Sequence, residues 1–109
     1  MISGKVLSLL KSINFQDFQC NGKQVKTIAY AGEDQRQVFI YCNQKNYSFK
    51  AIGSPYLLGM TKWIVMQLQN GQLAFLTTLD ITKLQYTFDL PAHKRQDALI
   101  ILQLIEQVK

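Results

Sequence analysis

The residue types that bind metal ions or act as nucleophiles are few in this chain and lie far apart. They are Cys20, Cys42 and His93, and no Cys-x-x-Cys or similar spacing joins them. A structural zinc site takes four Cys or His ligands, which is more than the whole sequence contains. A dyad of His93 with either cysteine is the one nucleophilic arrangement that the composition permits. The sequence therefore predicts no metal site and two free cysteines in a reducing compartment.

The sequence also contains no pattern that indicates a catalytic acid–base pair or a phosphate-binding loop. The carboxylates are scattered, and Glu33-Asp34 follow Gly32 in a segment typical of a turn. No two of them have a spacing that indicates a general acid and a general base. The glycines are isolated from one another, so no glycine-rich loop for a nucleotide phosphate is present. We expect a protein that is not an enzyme and that binds no cofactor.

Basic residues with an aromatic neighbour indicate nucleic-acid binding as one candidate function. The net charge is +5, from 12 basic and 7 acidic residues. Proteins that bind single strands combine cations with aromatic rings. Six residues carry this pattern, three beside a predicted hairpin and three at the start of the last predicted helix: Lys45, Tyr47, Lys50, His93, Lys94 and Arg95. The other interpretation of the same residues is a solvated basic rim that has no partner.

The segment from Trp63 to Leu79 is predicted to form a β-hairpin around Asn70-Gly71, with an apolar run on each side of the turn. One face of this hairpin would belong to the core. The other face would carry Trp63, Val65 and Leu76 at the end away from the turn, where the chain itself, a second subunit or a ligand could cover them. An uncovered apolar patch usually marks an interaction site. Our first hypothesis is therefore a protein–protein interaction module, or a homodimer, that uses this patch.

Length and composition predict a single domain over residues 1–109. Hydrophobic residues make up 48% of the chain and charged residues 17%, which is typical of a globular protein. No run approaches the ~20 apolar residues that a membrane span needs. The first residues, MISGKVLSLLK, have neither a basic cluster nor a cleavage site typical of a secretory signal. We expect a cytoplasmic protein that does not bind membranes.

Helix signals lie at both ends of the chain. Ser3 can cap a short N-terminal helix whose apolar residues recur at the spacing of one helix face: Val6, Leu9, Leu10 and Ile13. Pro91 suits the first turn of a long C-terminal helix, with Asp89 or its neighbour as the cap. The apolar stripe of that helix should pack on a sheet: Ala98, Ile101, Leu102, Ile105 and Val108, widened by Leu99 and Leu104.

Strand signals with a period of two fill the middle of the chain. CNGKQVKTIAYAG and CNQKNYSFKAIG echo each other, and each predicts a turn followed by a returning strand. Loops are predicted at 32–36 and 53–62, and LQYTFDL at 84–90 is predicted to be a half-buried strand. The fold class is α+β, with an antiparallel sheet or partly closed barrel of about 5–7 strands built from hairpins. This order of elements resembles pleckstrin-homology-like barrels, although no motif carries the resemblance.

Overall fold

The computed structural model describes residues 4–13, 26–43 and 46–108, which form one sheet with helices on one side of it. The first helix, α1, is Gly4–Ser12. Three strands follow: β1 at Lys26–Glu33, β2 at Arg36–Asn43 and β3 at Asn46–Ile52. The other described elements are helical: α2 (Pro55–Gln69), α3 (Leu73–Leu76), α4 (Ile81–Phe88), a 3-10 turn (Ala92–Lys94) and α5 (Arg95–Val108).

The three strands form an antiparallel meander in the order β1-β2-β3. Glu33 pairs with Arg36 across the first turn. This turn needs glycine at position 32, where φ is +94° and a Cβ would overlap the carbonyl oxygen of Arg36. Asp34 also has a positive φ, of 57°, which aspartate tolerates better than most residues. The loop predicted at 32–36 is therefore the tight turn of a hairpin and does not separate two hairpins.

One face of the sheet is covered by helices. Alternation along the strands puts Ala29, Val38, Ile40 and Phe49 on this face, and all four side chains are buried. Helix α5 packs along β1, helix α2 packs along β3, and the two helices contact each other. Helix α1 packs on α2, and α4 packs on α5. The core therefore lies between the sheet and the helices α2 and α5, and it continues between these helices and the others. We call this side of the sheet the helix-covered face.

Helix α2 begins at a serine followed by a proline, a pair that is typical of a helix N-terminus. Ser54 is its N-cap and accepts a hydrogen bond from the backbone N–H of Leu57 at 3.2 Å, and Pro55 occupies the first turn. Gly59 allows α1 to approach closely, because a Cβ there would lie 3.0 Å from Cγ1 of Val6. Asn70 ends the helix as its C-cap.

The hairpin predicted for residues 63–79 is wrong. Trp63 to Gln69 belong to α2, and Leu73–Leu76 form the short helix α3. Asn70-Gly71 ends a helix here. Nine of the fifteen residues of α2 are buried, so the helix lacks the wide polar face that makes a 3.6-residue period visible. A short apolar run of this kind cannot be assigned to a strand or a helix from its periodicity alone.

The strand predicted at residues 84–90 is also wrong, since most of that segment lies in α4. Asp80 caps this helix through a 2.8 Å hydrogen bond from the backbone N–H of Lys83. Leu84 and Phe88 are four residues apart and both fully buried, whereas Tyr86 between them is 90% exposed. A strand would place all three on one face. Asp89, expected to cap the next helix, instead ends α4 with a left-handed φ of 52°.

The described residues contain a three-stranded sheet, so neither five to seven strands nor a barrel like the pleckstrin-homology-like fold is supported. The α+β class, the antiparallel pairing and the C-terminal helix are confirmed. In the stripe predicted for that helix, Ala98, Ile101 and Ile105 are buried, and Leu102 and Val108 pack against the core. Strands β1 and β3 are the two returning strands predicted by the echo. The turn predicted before β1, at Asn21-Gly22, lies outside the described residues.

Candidate functional site

The face of the sheet opposite the helices carries aromatic side chains, one lysine and no carboxylate among its described residues. We call this side the outer face, and strand alternation assigns nine described residues to it: Thr27, Tyr30, Gly32, Gln37, Phe39, Tyr41, Ser48, Lys50 and Ile52. Of these, Ser48 alone is buried. Tyr30 is 42% exposed and Ile52 is 58% exposed. The outer face therefore presents apolar surface that the described helices do not cover.

Three rings form a row across the outer face. The ring centroids of Tyr30 and Phe39 lie 4.6 Å apart, with their planes tilted by 36°. Those of Phe39 and Tyr41 lie 6.3 Å apart and are almost parallel, at 7°. Tyr30 and Phe39 are paired across β1 and β2, and Lys50 is the partner of Phe39 on β3. The result is a row of rings on the strands with a cation beside its centre.

A cleft of about 970 Å³ opens at the end of the sheet where β1 turns into β2. Its walls come from this turn, from the link between β3 and α2, and from the start of α5. Two cations line it, Arg36 and Lys94, against one carboxylate, Glu33. The other lining residues are apolar or neutral and polar: Gly32, Gln35, Ile52, Gly53, Ser54, Gln96, Ile100 and Gln103.

A buried carboxylate holds the walls of the cleft together. Asp97 on α5 is 1% exposed, and its Oδ2 accepts a hydrogen bond of 2.5 Å from Oγ of Ser54. Its Oδ1 lies 3.3 Å from Nε of Arg36. That oxygen has no hydrogen bond in the described structure, so the ion pair with Arg36 is the interaction that offsets its burial. Asp97 thus joins the β1–β2 hairpin, the start of α2 and the start of α5.

Two glutamine side chains bind the backbone of the outer strands, β1 and β3, in the described sheet. On β1, the amide of Gln107 accepts from the backbone N–H of Tyr30 at 2.9 Å and donates to its carbonyl at 2.6 Å. On β3, Oε1 of Gln69 accepts from the backbone N–H of Tyr47 at 3.1 Å. Exposed strand edges are sites of unwanted pairing between chains. These side chains therefore occupy one point on each of the two outer strands of the described sheet.

The apolar patch predicted at Trp63, Val65 and Leu76 is not exposed in the chain. The three side chains are 7%, 4% and 0% exposed. The ring of Trp63 packs edge-on against Phe75 and Phe88, and Nζ of Lys5 lies 5.8 Å from its centroid. Within the described structure, the chain's own helices cover these residues, which is one of the three covers considered from sequence.

The six residues predicted for nucleic-acid binding do not form one patch in the described structure. Lys50 lies on the outer face and Lys94 lines the cleft, while His93 and Arg95 are exposed beside Lys94. Lys45 is outside the described residues. Tyr47 pairs with Cys42 on the other side of the sheet from Lys50, where it packs against the edge of the core. Burial raises the pKa of Tyr47, and Cys42 raises it further by charge repulsion and a hydrogen bond.

Sequence reasoning missed Tyr30, Phe39 and Tyr41. Their signal is visible in VFIYC at 38–42, where Phe39 and Tyr41 alternate with the buried Val38 and Ile40. Both sets are apolar, so the alternation does not show which set faces the helices. That choice depends on helices distant in sequence.

Neither a protein-family model nor a curated protein matches the sequence. Among the residues that the structure describes, no group of three or more His, Cys, Asp and Glu side chains is placed to share a metal ion. The described helices include none with the length and hydropathy needed to cross a bilayer.

Proposed function

We propose that the protein binds single-stranded nucleic acid on the outer face of its sheet, as a non-catalytic accessory protein. The observation that carries this proposal is the row of Tyr30, Phe39 and Tyr41 with Lys50 beside it and no carboxylate among the described outer-face residues. Every base has a flat face that stacks on an aromatic ring, and a lysine attracts the adjacent phosphate. The net charge of +5 favours the approach of a polyanion over long range.

A protein partner is the competing function, and two observations make it the weaker one. The residues first expected to form such an interface, Trp63, Val65 and Leu76, are buried in the core. In a symmetric dimer the same surface of each copy meets its counterpart. Two outer faces would then bring together two lysines, with no described outer-face carboxylate to pair with them. This charge pattern fits an anionic partner better than a second copy.

The test is the binding of labelled oligothymidylate and oligouridylate of about eight nucleotides, followed by fluorescence anisotropy at low salt. Tyr30→Ser should weaken binding by about 1–3 kcal/mol, because a base loses its stacking partner. Lys50→Gln should lower the slope of log affinity against log salt by about 0.7. A duplex should bind less well than either strand, since its bases are already stacked on one another.

Two matched controls separate the outer face from the general positive charge. Tyr86→Ser removes an exposed tyrosine from α4, and Lys11→Gln removes an exposed lysine from α1. Neither should change the affinity. The proposal fails if no oligonucleotide binds at low salt, or if the control variants lose as much affinity as Tyr30→Ser and Lys50→Gln. Self-association detected by sedimentation, abolished by Tyr30→Ser and unaccompanied by oligonucleotide binding, would favour the protein-interaction function instead.

A further inference from the structure

The cleft and the outer face share a residue. Ile52 is on the outer face, beside Gln37 of β2, and it also lines the cleft. Gly32 belongs to both as well. The outer face and the cleft therefore adjoin each other at Gly32 and Ile52.

The charges in the cleft differ from those of the outer face. The row of rings has one adjacent cation, Lys50, whereas the cleft is lined by two, Arg36 and Lys94. One carboxylate, Glu33, is in the lining, and the buried Asp97 pairs with Arg36. Neutral donors complete the lining, since Gln35, Gln96 and Gln103 carry side-chain amides. Two cations with amide donors around them suit a phosphate group better than they suit a base.

Arg36 is held in a way that leaves it able to bind an anion. Asp97 contacts it at Nε and is itself fixed by the hydrogen bond from Ser54. A guanidinium has five N–H donors, and the Nε group accounts for one of them. The Arg36 side chain is 45% exposed although Asp97 is buried. The ion pair thus orients the arginine and leaves much of its side chain accessible from the cleft.

We infer that the cleft binds a phosphate group of the same strand whose bases stack on the outer face, with Arg36 and Lys94 as the residues that contact it. This inference rests on the proposed function. Asp97 and Ser54 are positioning residues that hold Arg36 in place. The phosphate has two sources, a linkage within the strand or a phosphate at its end.

The experiment compares Lys94→Gln with Arg95→Gln in the full chain. Both variants remove one positive charge from neighbouring positions, but Lys94 lines the cleft and Arg95 is not part of its lining. The probes are oligothymidylates of about eight nucleotides with a 5′-phosphate, a 3′-phosphate or no terminal phosphate. Lys94→Gln should lower the salt slope by about 0.7, and Arg95→Gln should leave it nearly unchanged. Arg36→Lys, which keeps the charge beside Asp97 but loses the fork of donors, should weaken binding as well.

The probes distinguish the two sources of phosphate. If Lys94→Gln loses affinity for only one of the phosphorylated oligonucleotides, the cleft binds a phosphate at the end of the strand. If it loses affinity equally for all three oligonucleotides, the cleft binds a phosphate within the strand. Either result supports the inference. Equal effects of Lys94→Gln and Arg95→Gln overturn it. If wild-type binding still depends on Tyr30 in that case, the proposed function survives, whereas failure of every oligonucleotide to bind removes both.

Discussion

The two faces of the sheet are built from the same three strands and differ in what covers them. The helix-covered face presents small and branched side chains such as Ala29 and Ile40, which α2 and α5 bury. The outer face presents Tyr30 and Phe39 at adjacent positions, and the described helices pack against the other side. Large apolar side chains occur on both faces of β2, where Phe39 and Tyr41 alternate with Val38 and Ile40, so hydrophobicity does not separate core from surface along this strand. The useful difference is exposure, since Tyr30 on the outer face is 42% exposed whereas Phe49 on the helix-covered face is fully buried.

The largest expected effect on stability comes from an alanine substitution on the helix-covered face, compared with one on the outer face. Phe49→Ala should lower the free energy of unfolding by about 3–5 kcal/mol, because Phe49 is fully buried and its removal leaves a cavity. Tyr30→Ala on the outer face should lower it by about 1 kcal/mol or less. Urea unfolding monitored by circular dichroism measures both. Equal losses would mean that the outer face is a second core, which would contradict the distinction between the two faces.

A smaller loss of stability is expected when Asp97, which links the β1–β2 hairpin to α2 and α5, is replaced. Asp97→Ala removes the ion pair with Arg36 and the hydrogen bond from Ser54, and should lower the free energy of unfolding by about 1.5–3 kcal/mol. Ser54→Ala and the double variant complete a cycle that isolates the energy of the Ser54–Asp97 contact. Strictly additive effects of the two substitutions would show that the contact contributes nothing to stability.

The edges of the sheet should show a smaller effect again. Gln107→Ala removes the two hydrogen bonds to the backbone of Tyr30 and should lower the free energy of unfolding by about 0.5–1.5 kcal/mol. The backbone amide of Tyr30 should then exchange its hydrogen faster, as measured by NMR. Gln103→Ala, one turn earlier on α5, is the matched control and should leave that amide unchanged. Unaltered exchange in Gln107→Ala would show that the edge is protected by some other means.

The smallest expected effect appears in alkaline solution. The pKa of Tyr47 is raised above its ordinary value of 10.0 in the folded chain, so the unfolded chain loses this proton first as the pH rises. Stability should therefore fall as the pH passes 10 and approaches the raised pKa. Tyr47→Phe should lose less stability than wild type between about pH 9 and pH 11 in urea unfolding. The control, Tyr86→Phe, changes an exposed tyrosine and should follow the wild-type profile.

Part of the candidate site was predictable, and part was not. Lys50 and Lys94 were identified from sequence as cations near strands and near the last helix, and the structure places them on the outer face and in the cleft. Tyr47 was selected because it stands near Lys50 in sequence, yet an odd spacing along one strand puts the two on opposite sides of the sheet. Sequence distance therefore selected an aromatic residue that does not share a face of the sheet with Lys50.

The sequence alone determined the elements whose local signals are unambiguous. The helix periods at both ends of the chain and the β-prone runs of the echo predict α1, α5, β1 and β3, because each signal acts within a few residues. Tertiary structure decided the rest. Burial on most sides made α2 resemble a strand, and packing of α2 and α5 decided which of the two apolar sets on β2 faces the core. The meeting of Arg36, Ser54 and Asp97 also depends on packing, because contacts between distant segments form only when the helices close over the sheet.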